Sequence, residues 1–138
     1  MSEISWRYSN RRLLFEILIS SLGPETDFRP VKAIALIDTG ATRSGVCPSL
    51  IEKLGLRWIG RVRLETATEE RMVGTHYCSL AIAHPGDDQS SQQPFFFGEF
   101  EVLRLKQSQT FEVIVGMDFL IQCDLIVERS GICTLRFG

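Results

Sequence analysis

The chain alternates between short apolar runs and tight polar breaks. RRLLFEILIS (11–20) is apolar and β-branched enough to predict a strand. SLGPETDFRP (21–30) carries two prolines, a glycine and acids, which predicts a turn or loop. VKAIALI (31–37) predicts a second strand, apolar on both faces near its end. CPSLIEKLGL (47–56) is the best helix pattern. Pro48 suits the first turn, Leu50, Ile51 and Leu54 make one apolar face, and Gly55 stands where a helix C′ glycine would.

RVRLETATEERMVGTHYCSLAIA (61–83) reads as a hairpin with the polar TEER at its tip. HPGDDQSSQQP (84–94) is the clearest loop, too short for a domain linker. FFFGEFEVLRL (95–105) predicts a strand bent or bulged at Gly98, with its three phenylalanines packed in core and sheet. FEVIVG (111–116) predicts a short buried strand and MDFLIQC (117–123) a helical turn or two. DLIVERSGICTLRFG (124–138) predicts a hairpin turning at Ser130–Gly131, with Asp124 at a turn or helix end. Short strands with one or two small helices imply a mostly β, closed or sandwich-like domain spanning 1–138, with 1–10 as an N-terminal extension.

Composition changes this picture little. At 138 residues and 44% hydrophobic, a core can form without metals or disulfides. A formal charge of −2 and scattered basic residues give no footprint for nucleic acid. The longest unbroken aliphatic run, Ala33 to Ile37, is far too short to span a bilayer, and MSEISWRYSN lacks a signal-type apolar core. A cytoplasmic protein is expected. Cys47, Cys78, Cys123 and Cys133 form no C-x-x-C pair and are expected to be reduced and mostly buried, and His76 and His84 complete no zinc spacing. No metal or cofactor is expected.

The chemistry concentrates in IDTGAT (37–42), where an apolar strand ends in an acid, a hydroxyl and a glycine. Four roles fit these residue types. Asp38 could form an N-cap or an Asx turn at a strand end, with Gly40 supplying a positive φ. It could be a phosphatase-type nucleophile, although such sites usually want a second acid where Gly40 stands. It could belong to a phosphate hairpin of actin-like ATPases, which need two large lobes that this chain is too short to hold. It could be half of an aspartic-protease site. There, two carboxylates about 3 Å apart share one proton, so one acts as base on a water and the other as acid on the amide.

ALIDTGATRSGV resembles the active-site loop of the retropepsin-like aspartic proteases, and VIVGMDFLIQCDLIV (113–127) resembles their second landmark: an apolar pair, G-x-D-x-L, a short helix and a strand. PSLIEKLGL matches the helix that commonly follows the active-site strand, and the three elements occur in family order. The resemblance spans roughly 11 to 138. It implies a closed retropepsin-like β-barrel. Asp38 would be the catalytic aspartate, Thr39 the threonine that locks the two loops across a dimer, and Gly40 the glycine serving water and substrate.

By the same resemblance, Ala41 and Thr42 support the aspartate, Gly116 begins the turn beneath the loop, and Asp118 is the polar residue after it. The hairpin 61–83 would be a flap, with Thr66, Ala67 and Thr68 at the substrate. One D-T-G per chain implies a homodimer acting on an extended polypeptide, with an obligate two-fold interface. In viral relatives the terminal strands form the intermolecular sheet, and CTLRFG could serve that purpose. The charged TEER tip departs from the glycine-rich flaps of the family, which makes a catalytically weak binding or dimerisation module the rival reading.

Overall fold

The computed structural model describes residues 1–21, 30–65, 67–83 and 93–138. Among the described residues ten strands and two short helices follow in the order β1 (Ser2–Arg7), β2 (Leu14–Ser20), β3 (Val31–Ile37), β4 (Gly45–Val46), α1 (Pro48–Leu54), β5 (Trp58–Glu65), β6 (Glu70–Ile82), β7 (Phe95–Arg104), β8 (Val113–Val115), α2 (Met117–Leu120), β9 (Cys123–Val127) and β10 (Ile132–Phe137).

Six strands close on themselves. β2 pairs β3, β3 pairs β8, β8 pairs β4, β4 pairs β7, β7 pairs β6, and β6 returns to β2. β5 hangs from β6 outside that ring. The interior is filled by alternate residues: Phe15, Ile17 and Ile19 of β2, Ala33, Ala35 and Ile37 of β3, and Val113 and Val115 of β8 are all buried. The outer face of β3 is less covered than its sequence implies, since Ile34 stays 40% exposed and Leu36 half-buried. Phe119 of α2 plugs one region of the core. It stacks on Phe97 at 4.2 Å between ring centroids, and Phe97 meets Phe137 of β10 at 5.3 Å.

α1 runs over Pro48–Leu54 inside the expected 47–56, with Pro48 in the first turn and Gly55 left-handed at φ 60°. The bulge expected at Gly98 is present: Leu80 pairs Gly98 and Ala81 pairs Phe96, so Phe97 is the extra residue. Phe97 faces the core, Phe95 is half-buried, and Phe96 is half-exposed.

Three local expectations change. Residues 2–7 of the supposed extension are β1, an edge strand paired with β10 along its whole length. β10 lies between β1 and β9, so both of its edges are taken within the chain, and CTLRFG has no free edge to offer a second copy. Asp124 lies within β9 opposite Arg136 rather than at a turn. Cys123 and Cys133 pair with Phe137 and Val127, so they stand at opposite ends of one ladder, about 13 Å apart along the strand. All four cysteines are free thiols. No helix among the described residues is long and apolar enough to cross a membrane.

Candidate active site at the Asp38 loop

The site follows from topology. β8 lies between β3, to which it runs parallel, and β4, to which it runs antiparallel. β3 and β4 are consecutive in the chain, so the segment joining them must arch over the C-terminal end of β8. That arch is residues 38–44, and the residue under it is Gly116. Asp38 is held at the arch's start by its own N–H, which donates to the Val115 carbonyl at 3.0 Å. The arch is pinned by two further bonds from α2: Met117 N–H to the Ala41 carbonyl at 2.7 Å, and Asp118 N–H to the Thr42 carbonyl at 3.2 Å.

Gly116 has ordinary extended backbone, so its requirement is space rather than conformation. A Cβ there would lie 2.7 Å from the Ala41 carbonyl oxygen and 2.8 Å from the Arg43 carbonyl carbon and oxygen. All three are backbone atoms of the arch. Only a residue without a side chain lets the loop sit this close.

Asp38 is half-buried, and its Oδ1 accepts the Gly40 N–H at 2.9 Å. The Ala41 N–H donates to the Asp38 carbonyl at 3.2 Å. This is a local Asx-type turn, formed without the positive φ expected at Gly40: it fixes one carboxylate oxygen and holds the side chain at the rim of the arch. Thr39 and Gly40 are exposed at the apex. Ala41 and Thr42 enter the network through their carbonyls.

Ser44 was not singled out by any sequence signal, yet it carries the arch's far end. Its hydroxyl donates to Asp118 Oδ1 at 2.7 Å and accepts the Gly116 N–H at 3.0 Å, and its own N–H donates to both Asp118 oxygens at 3.0 Å. Asp118 Oδ1 also accepts the Phe119 N–H at 2.8 Å. Asp118 is therefore an acceptor hub that staples the arch to α2, and nothing else in TRSGV distinguishes Ser44 from a spacer.

The sequence-predicted residues fall into two groups. Asp38, Thr39, Gly40, Ala41 and Thr42 come together with Gly116 and Asp118. Ala67 and Thr68 belong to a separate element, the exposed β5–β6 connection, and Thr66 lies outside the described residues. The hairpin itself is present and longer than expected, with β5 and β6 in register from Arg61–Gly74 to Glu65–Glu70. At its base the His76 ring is buried, with Nδ1 3.2 Å from the Leu56 carbonyl, so a neutral ring protonated on Nδ1 would donate there. Among the described residues no group of three or more His, Cys, Asp or Glu is gathered to hold a metal ion; His84 lies outside them.

No family model matches the chain, and neither does any curated protein. Its structure is similar to the crystal structure of a retropepsin-like aspartic protease from Rickettsia conorii. The TM-score is 0.65 over 99% of this chain and 91% of that one, at 16% sequence identity. The closed barrel is therefore of the retropepsin-like class.

Proposed function

We propose that the protein is an aspartic endopeptidase that works as a homodimer. The observation that carries the proposal is Asp38, oriented by the Gly40 N–H at the rim of an arch that Gly116 and Asp118 brace, in a retropepsin-like barrel. The chain holds one D-T-G, so the second carboxylate comes from a second copy, with the two Asp38 side chains meeting at a two-fold axis. Two carboxylates that close share one proton. The ionised member takes a proton from a water as that water attacks the peptide carbonyl, and the protonated member gives its proton to the developing oxyanion. The newly protonated member then gives its proton to the amide nitrogen while the other takes one back from the diol hydroxyl as the C–N bond breaks, so the amine leaves and the pair again holds one proton, without a covalent intermediate.

Thr39, exposed at the apex, would meet the partner's loop. The β5–β6 hairpin would cover an extended polypeptide, with Thr66, Ala67 and Thr68 near the substrate backbone. The test is incubation of wild-type protein and Asp38→Asn with a diverse peptide library between about pH 3.5 and 7.5. Cleavage by the wild type alone is expected. Identical patterns from both proteins, or no cleavage at any pH, would remove the proposal.

A further inference from the structure

Beyond Thr75–Leu103, β6 and β7 part company, because β7 ends at Arg104 while β6 runs on toward the hairpin tip. Arg71 to Gly74 therefore present a bare strand edge on the β7 side. A recess of about 180 Å³ opens along that edge, lined by Arg71, Arg104 and Lys106 with Val73 and Leu105. No acid is among the described residues that line it.

Arg71 lies opposite Leu64, and Val73 opposite Val62, so Arg71 shares the more buried face of the hairpin. Its Nε–H is shut off from solvent and has no acceptor among the described residues. A donor kept dry and unpaired is unfavourable, and guanidinium donors are normally satisfied when buried. The nearest ion pairs are formed by other groups: Glu70 holds Arg63 at 2.6 Å, and Glu52 holds Arg104 at 3.4 Å. Arg104 thus keeps donors to spare, and Lys106 is exposed. With no acidic side chain among its described lining residues, the recess is cationic, and a carboxylate supplies the planar pair of oxygens that a guanidinium fork matches best.

We infer that this recess is a specificity pocket for an acidic side chain of the polypeptide substrate, with Arg71 as its principal donor and Lys106 and Arg104 adding charge. The inference rests on the endopeptidase reading for its occupant. A polypeptide laid under the hairpin would run along the bare edge of β6, where an extended chain could add and project alternate side chains. The selection would favour Glu or Asp over their amides, and would weaken with added salt.

The test separates binding from turnover. Asp38→Asn protein is titrated with fluorescent extended peptides that carry a single Glu, moved one position at a time, each beside its Gln counterpart. Affinity is read by anisotropy. At one position the Glu peptide is expected to bind about five- to ten-fold tighter than the Gln peptide. That preference is expected to vanish in Arg71→Gln, to fall in Lys106→Gln, and to be only partly restored by Arg71→Lys, which keeps charge but not the fork. Equal affinity for every Glu and Gln pair overturns the inference, as does a preference that survives Arg71→Gln. Inorganic phosphate or acetate that competes as strongly as the Glu peptide also overturns it, because a free small anion would then be the occupant. A wild-type protein that cleaves nothing would sink the endopeptidase proposal, while the Glu-over-Gln difference in binding would still be measured.

Discussion

The Ser44 hydroxyl sits 2.7 Å from Asp118 Oδ1 and donates to it, while accepting the Gly116 N–H at 3.0 Å. Residues far apart in sequence are thereby locked at the point where the arch crosses β8. Ser44→Ala leaves the buried Gly116 N–H without an acceptor and removes one donor from Asp118. A loss of about 1–3 kcal/mol is expected, measured as a drop in the urea midpoint with unchanged slope. Peptide cleavage should fall with it, because Asp38 rides on the same arch.

Gly116→Ala is expected to be worse than Gly40→Ala for folding. The new Cβ at 116 meets three backbone atoms within 2.8 Å, none of which can move without displacing the arch. Overpacking of that kind costs about 1–3 kcal/mol or more. At Gly40 the single close atom is Asp38 Oδ1 at 3.3 Å, the end of a side chain. Gly40→Ala should change the melting temperature little and lower cleavage instead. Thermal melts of the two variants side by side, with equal losses of stability, would contradict this ordering.

If one Asp38 comes from each copy, mixing tells. Wild type and Asp38→Asn, combined and allowed to exchange subunits, should show activity that falls as the square of the wild-type fraction. An equal mixture then keeps about a quarter of the wild-type rate, since only wild-type pairs carry two carboxylates. A linear fall, measured by fluorogenic peptide turnover at constant total protein, would mean that each chain works alone. Specific activity should also rise with protein concentration as dimers fill.

Burial pushes the Cys78 thiol up from 9.0 to about 12, with the Asp118 charge adding to the shift, and pushes Cys123 up to about 11, with Asp124 adding. A raised thiol pKa means that the folded protein holds the proton more tightly than the unfolded chain does. The sign follows: stability from these groups is intact below about pH 9 and declines as pH rises from there through 11 and 12. Urea midpoints taken across that range should fall. Cys78→Ala should flatten the decline while lowering stability at neutral pH through the cavity it leaves. Near pH 8 both thiols should react slowly with a disulfide reagent in native protein and fast in urea.

Much of the fold was legible along the chain. VKAIALI read as a strand and is β3, and PSLIEKL with Pro48 and Gly55 read as a helix and is α1. The reading at Gly98 was of a bend or a bulge, and the extra residue is its neighbour Phe97. These signals are local: apolar period, proline at a helix start, glycine at its end. MSEISWR failed the same test. β1 is an edge strand whose side chains alternate between half-buried and exposed, so it carries too little apolar pattern to announce itself, and its partner β10 lies at the other end of the sequence.

The site divides along the same line. IDTGAT leaves several roles open, because a carboxylate followed by Thr and Gly at a strand end suits a turn as well as a site. What the sequence by itself determined was which acid ends the strand and that D-T-G occurs once in these 138 residues. What only the tertiary structure decided was the brace. Ser44 and Asp118 become partners, and Gly116 becomes indispensable, solely because β8 inserts between β3 and β4 and forces the loop across its end. The bare edge from Arg71 to Gly74 has the same origin: it exists because β7 stops at Arg104 while β6 continues. Such facts come from where strands end in space, and no periodicity along the chain encodes them.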